Sequence, residues 1–273
     1  MKAIVLFTKR KEVKIMEKVI MVVDTETTSI DKKFCYDIGY VICKINEFGA
    51  GAILEEKNFL VKQVWRNTML FSTAYYADKK PIYTKMLRDK KNNYGISVLR
   101  YDEIMAEVQK SIDRYGVEIV YAYNSGFDEK VFQFNCDWFK VENPFAELPF
   151  YDIRAYFMNS VKDSLWFKGF CNDHELYTES GNYSTTAETA YKFIACDTDF
   201  IESHTALNDS QIELDILRFC AASGEDIFSP MVAPKMLERK IIKEYLIKTQ
   251  QGVYSFHGWG ATWYKKKNTL VIK

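Results

Sequence analysis

The chain has 273 residues, with 37 Lys and Arg against 37 Asp and Glu, so its formal charge is zero. That length suits one large domain or two small ones, whose core needs no metal or disulfide staple. The 48% hydrophobic and 27% charged residues are ordinary for a globular chain; the zero charge excludes a histone-like chain and an acidic-tailed chaperone, whereas a local basic stripe beside clustered acids stays compatible with nucleic acid.

The longest apolar runs, Ala3–Phe7 and Val19–Val23, are far short of the roughly 20 residues that cross a membrane. The first is also too short for a secretory signal. The six cysteines, at 35, 43, 136, 171, 196 and 220, form no C-x-x-C pair. The expectation is a cytoplasmic protein with reduced thiols and no membrane partner.

Residues 1–17 read as a Lys-rich lead-in. Lys18–Thr25 reads as a buried strand, with Tyr36–Ile45 and Asn58–Val64 completing an antiparallel meander. Residues 65–116 read as helical, most clearly where Ile104, Met105, Val108 and Ile112 line one face. A strand over Val117–Ala122, a helix over Phe127–Phe139 and a short strand over Leu148–Ile153 follow. Residues 168–183 read as loop, and Thr185–Ile194 and Ser203–Ala222 as helices. A Lys-rich helix over Lys235–Lys248 and a final strand over Thr269–Ile272 close the chain. The pattern predicts one mixed α/β domain over 18–222 with an appendage over 223–273.

Three short motifs carry chemistry. Asp24 and Glu26 flank Thr25 near the end of the first strand, and alternate strand residues share a face. Like charges so close repel, and a divalent cation is the usual reason to keep them, although two solvated acids at a strand end would look the same. Asp128 follows Asn124-Ser-Gly-Phe127 at a helix entry, where an acid also serves the helix dipole. His204 precedes Asp209 by five residues, about 140° around a helix. Both reach one site only if His204 sits on the loop before that helix; otherwise it is a cap or a packed ring.

In this order the motifs resemble the DEDDh 3′–5′ exonucleases of the ribonuclease-H-like superfamily, over roughly residues 18–222. Val22-Val-Asp-Thr-Glu-Thr-Thr28, Asn124–Asp128 and His204–Asp209 are similar to that family's three motifs, and Asp37–Ile42 to its second strand. The resemblance implies a mixed five-stranded sheet flanked by helices. It implies two divalent cations, Mg²⁺ or Mn²⁺, held by Asp24, Glu26, Asp128 and Asp209, with His204 as general base. Thr27, Thr28, Asn124 and Phe127 would then meet the substrate, although Phe127 reads in preference as a core anchor for Asp128. The implied partner is a single-stranded 3′ end, DNA favoured over RNA. RNA trimming, a proofreading subunit and a catalytically silent binding module are the alternatives; the presence of all five catalytic-type residues speaks against the last. Ser29 stands where the family usually has Gly, residues 65–100 suggest an inserted helical element, and the tail has no counterpart.

Weaker signals remain. Cys171 and His174 would be half a zinc site without a second half. Asp152 either matches a family aspartate or caps the next helix. His257–Lys267 interleaves aromatic and basic residues, which suits single-strand binding or a packed hairpin.

Overall fold

The computed structural model describes residues 15–29, 33–72, 74, 76–89, 95–235 and 237, together with the backbone of four later strands. The elements, in chain order, are β1 (Glu17–Thr27), β2 (Cys35–Asn46), β3 (Gly51–Val61), α1 (Lys62–Trp65), α2 (Thr68–Phe71), a 3₁₀ turn (Ala77–Lys79), α3 (Lys80–Arg88), β4 (Ile96–Leu99) and α4 (Tyr101–Tyr115). Then come β5 (Ile119–Ala122), α5 (Gly126–Phe139), β6 (Phe150–Asp152), α6 (Ile153–Val161), α7 (Leu165–Asp173), α8 (Ala187–Ala195) and α9 (Ala206–Ala222).

Six strands form one sheet in the order β4-β3-β2-β1-β5-β6. β1, β2 and β3 are an antiparallel meander; β5 and β6 continue parallel to β1, and β4 pairs parallel to β3. This is the expected mixed α/β sheet flanked by helices, with six strands rather than the expected five. Ile20 and Val22 face one core layer with Ile212, Ile216 and Leu217 of α9, whereas Met21 and Val23 face the other with Val131 and Phe132 of α5. Period-two alternation along β1 therefore sorts its side chains between α9 on one face and α5 on the other.

The differences from the sequence reading have local causes. The stretch over 65–116 is not all helix: Ile96–Leu99 is β4, a short edge strand whose partner Asn58–Val61 is far away in sequence. β3 begins at Gly51 rather than Asn58 because its first half is exposed and shows no apolar alternation. α7 occupies the start of the expected loop over 168–183. Ser164 caps it by accepting from Phe167 N–H at 3.1 Å, and Phe167 and Cys171 bury its inner face. The expected helix over Lys235–Lys248 is at least partly strand: Tyr245–Thr249 is β7. Its Tyr, Ile and Thr are strand formers. β7 joins β8 (Gly252–Phe256), β9 (Trp263–Lys266) and β10 (Thr269–Ile272) in a second sheet of order β7-β8-β10-β9.

The main core runs past 222. Ile227, Phe228 and Leu237 are buried in it. Tyr121 donates to the Ile227 carbonyl, and Tyr156 to that of Ser229 at 2.6 Å. Among the described residues no helix is long and apolar enough to cross a membrane.

One glycine sets the distance between α9 and the sheet. A Cβ on Gly39 would stand 2.0 Å from the backbone nitrogen of Leu207 and 2.2 Å from the carbonyl carbon of Ala206. Only a residue without a side chain lets the helix start lie on β2. Gly39→Ala should cost about 3 kcal/mol or more, because backbone atoms cannot swing aside as a side chain would. The urea unfolding midpoint measures this, and an unchanged midpoint would refute the close approach.

Candidate active site

β1 supplies the first two acids. Asp24 and Glu26 continue the face of Ile20 and Val22, so both point to the α9 side. In the ladder Asp24 lies opposite Gly39 and Glu26 opposite Asp37, and a bulge follows between Glu26 and Thr27. Thr25 points to the other face, where its hydroxyl donates to Asp128 Oδ1 at 2.7 Å. Asp128 itself sits in the first turn of α5, where the exposed N–H groups favour a carboxylate. The strand and the α5 helix are thus joined at the site by a buried hydrogen bond.

α9 supplies the rest. It starts at Ala206 with Thr205 as N-cap, so His204 lies on the loop before it, with a left-handed φ of 52°. That placement satisfies the condition set by the five-residue spacing: ligand-type atoms of Glu26, His204 and Asp209 lie within 4.8 Å of one another. Because Thr205 offers no side-chain cap, Asp37 takes that role from β2, accepting from the Ala206 N–H at 3.0 Å. Asp37 is fully buried and also accepts from Tyr83 at 2.6 Å and from Asn58. Tyr83, on α3, lies 3.4 Å from the His204 carbonyl oxygen as well. The His204 ring stacks on Tyr76 at 4.1 Å between centroids, 14° from parallel, and its Nδ1 lies 3.9 Å from Glu202. The inserted segment between β3 and β4 therefore packs on the histidine loop through Tyr76 and Tyr83.

Electrostatics at this cleft are dominated by crowded acids. Burial, then the charges of Glu213, Asp128, Asp209 and Glu26, push Asp24 well above the usual carboxylate range. Burial and then Asp209 raise Glu26 to about 10. Burial raises Asp209 to about 8, with Glu202 and Asp37 adding to it. Burial lifts Asp128 to about 7 against the Thr25 hydrogen bond, which favours the ionised form. Among the described residues no ion pair joins any of these four acids to a Lys or Arg. Asp209 Oδ1 is buried with no hydrogen-bond partner. Hard oxygen donors, an orphaned carboxylate oxygen and the absence of a direct ion pair among the described residues fit a hard divalent cation such as Mg²⁺ or Mn²⁺, with Lys79 the one cation whose charge reaches Asp209. His204 behaves in the opposite sense. Burial, then Lys79, lowers its pKa below the ordinary value, so its ring is neutral at neutral pH.

Thr27 and Thr28 carry the end of β1 past the acids. Both are buried, and the Thr28 hydroxyl has no partner. Asn124 is exposed at the turn before α5, with a left-handed φ of 63°. Phe127 packs partly against the α5-side core with Lys33 Nζ 4.6 Å above its ring. Asp152 caps α6, accepting from Arg154 N–H at 2.9 Å, and also holds the Asn124 N–H at 2.8 Å. Cys171 is buried in the core, and the His174 ring rests against Phe170. Of His257–Lys267, residues 257–262 and 267 lie outside the described residues, and the strand between them is described in its backbone alone.

Sequence reasoning misses Glu213, Glu202, Tyr76 and Tyr83, and gives Asp37 no role. Only Glu213 carries a signal, since it follows Asp209 by four residues on a helix. The two tyrosines come from a segment without a motif.

No protein-family model and no curated protein matches the chain. Solved structures do. One is E. coli Exonuclease I in complex with a dT13 oligonucleotide, 11% identical, with a TM-score of 0.45 over 74% of this chain and 40% of that one. Another is Exonuclease I in its apo form, 14% identical, with a TM-score of 0.46 over 74% of this chain and 41% of that one. A third is a product-bound exonuclease I, 13% identical, with a TM-score of 0.44 over 74% and 42%. The chain thus spans about 40% of the length of the structures it resembles. These three are exonuclease I structures; the sheet of this chain is a six-stranded mixed sheet flanked by helices.

Proposed function

We propose that the protein is a metal-dependent 3′–5′ exonuclease that hydrolyses phosphodiester bonds at the 3′ end of single-stranded nucleic acid, DNA in preference, and releases nucleoside monophosphates. The observation that supports this reading is the convergence of Asp24, Glu26, Asp128 and Asp209 with a neutral His204 in one cleft.

The four carboxylates would hold two divalent cations. When bound, such cations lower the pKa of a coordinated water and neutralise charge on the leaving oxygen of an in-line displacement at phosphorus. The chain's own residues do the remainder. Thr25 fixes Asp128 so that its carboxylate meets those of β1. Asp37 fixes the first turn of α9, and with it the positions of His204 and Asp209. His204, neutral because burial and Lys79 disfavour its cation, takes the proton of the attacking water. Its stacking on Tyr76 restricts the ring to one plane. Thr27 and Thr28 lie at the strand end next to Glu26, where they would lie under the terminal nucleotide. Since the core runs to Leu237, the part of the appendage beyond it is assigned to holding the substrate strand, because every catalytic-type residue precedes it.

The test is digestion of end-labelled single-stranded DNA and RNA with Mg²⁺, Mn²⁺ or EDTA. Mononucleotides should accumulate from a free 3′-hydroxyl, and a 3′-phosphate should block their release. EDTA should stop the reaction. Cleavage of a closed circular single strand would show an endonuclease, and unchanged rates in EDTA would remove the metal from the mechanism.

A further inference from the structure

The rings beside the cleft are not all used by the core. Phe127, Phe134 and Trp138 recur on α5 at spacings of seven and four residues, which places them within about 40° of one another around the helix. Phe34 reaches the same side from the connection between β1 and β2. Its ring meets Phe134 at 5.2 Å and Trp138 at 5.1 Å between centroids, edge to face in both pairs. The Phe134 and Trp138 rings lie 21° from parallel, 6.3 Å apart. Burial does not account for this group: Trp138 is 61% exposed, and Phe34 and Phe134 are only half-buried.

The rings are held in place and joined to the cleft. Asn135 is wholly buried; it donates to the Lys33 carbonyl at 2.7 Å and accepts from the Cys35 N–H at 3.2 Å, and so fixes the chain on both sides of Phe34. The Phe34 carbonyl accepts from the Thr28 N–H at 2.9 Å, which ties it to the end of the strand that carries Asp24 and Glu26. Lys33 Nζ lies 4.6 Å above the ring of Phe127, the residue before Asp128. From Phe127 to Trp138 the helix rises about 16 Å, so the rings run outward from the acids to the surface.

The chemistry of this ledge suits a single strand. Aromatic faces accept any base, because every base has a π-face. Lys33 and the exposed Lys130 flank the rings, and no ion pair among the described residues includes either. Both can therefore meet phosphates. The acid on that flank, Asp137, is turned along the helix to Gln133, which donates to it at 3.0 Å.

We propose that Phe34, Phe134 and Trp138 form a base-stacking ledge that holds single-stranded nucleic acid behind its 3′ end. This rests on the nuclease reading for the direction of the strand, whose terminal nucleotide lies at the acids, and adds a contact outside the three motifs of the cleft.

The test measures binding without turnover: fluorescence anisotropy of a labelled twelve-nucleotide thymidine strand with the full chain, with Ca²⁺ in place of Mg²⁺ and the strand checked for intact length. Trp138→Ala should weaken binding by about tenfold, the worth of one stacked base, and Trp138→Phe should recover part of it. A strand that is abasic except at its 3′ end offers phosphates and nothing to stack, and should bind wild type and Trp138→Ala alike. Equal affinity of the two folded proteins for the full strand would overturn the ledge, as would an equal loss with the abasic strand or a wild type that binds neither. If Trp138→Ala does not fold, Phe134→Leu keeps the packing, removes an aromatic face and carries the same expectations. Binding that depends on Trp138 in a protein that releases no nucleotide with Mg²⁺ or Mn²⁺ would defeat the nuclease reading and leave the ledge standing.

Discussion

Asp209→Asn should reduce hydrolysis of a single-stranded oligonucleotide by about 10³ or more while the metal-free protein becomes more stable. The loss follows from the place of Asp209: one of its atoms lies within 4.8 Å of ligand-type atoms of both Glu26 and His204, so removing its charge weakens cation binding where water must be activated. The gain follows from linkage. Asp209 and Asp128 have folded-state pKa values raised to about 8 and about 7 from 3.8, so the folded state binds protons more tightly than the unfolded chain. Their contribution to metal-free stability is full below about pH 4 and is lost as pH rises through about 7 and 8. The metal-free wild type should therefore melt lower at pH 8 than at pH 5, and Asp209→Asn should flatten that slope. Saturating Mn²⁺ should restore the wild type at pH 8 and do less for the variant. Single-turnover hydrolysis and paired thermal melts measure both halves. An active Asp209→Asn protein would remove Asp209 from the site, and a metal-free variant less stable than wild type at pH 8 would show that its carboxylate is structural.

The parts of this site that the sequence exposes are those governed by local period. Asp24 and Glu26 share a face because a strand alternates, and the structure puts both on the α9 side. The helix from Ala206 is legible from its run of apolar residues, and that boundary leaves His204 on the loop. What stays hidden depends on partners distant in sequence. Gly39 reads as an ordinary strand glycine until α9 lies on it, 168 residues later at Leu207. Asp37 looks like a strand acid until Ala206, Asn58 and Tyr83 converge on it from three elements. Glu213 resembles a solvent-facing acid of an amphipathic helix, yet α9 is buried on both sides by the sheet and by α6 and α8. β4 is a four-residue edge strand in a segment rich in helix formers, and only its pairing with β3 defines it.

His204→Ala should lower turnover by about 10²–10⁴, the usual worth of a general base, with Mn²⁺ affinity reduced far less than in Asp209→Asn. The wild-type rate at saturating metal should climb with pH and level off at the pKa of His204. Burial first, and then the Lys79 charge, hold that pKa below the ordinary histidine value. The rising limb therefore lies on the acid side of about 6.5, and the plateau covers neutral pH. The four ligand acids do not produce this limb when metal is saturating, because a bound cation keeps them ionised. Two neighbours sharpen the expectation. Lys79→Ala removes a positive charge that opposes protonation of the imidazole, so the limb should shift to higher pH with the plateau height little changed. Glu202, 3.9 Å from Nδ1, is itself raised to about 7 by burial and then by Glu188, so it titrates in the same window; Glu202→Gln should remove that second titration and leave the histidine limb in place. Rate profiles from pH 5 to 8 for wild type, His204→Ala and Lys79→Ala decide the matter. A His204→Ala profile that keeps the wild-type limb at reduced height would make the imidazole a structural partner of Tyr76 rather than a base.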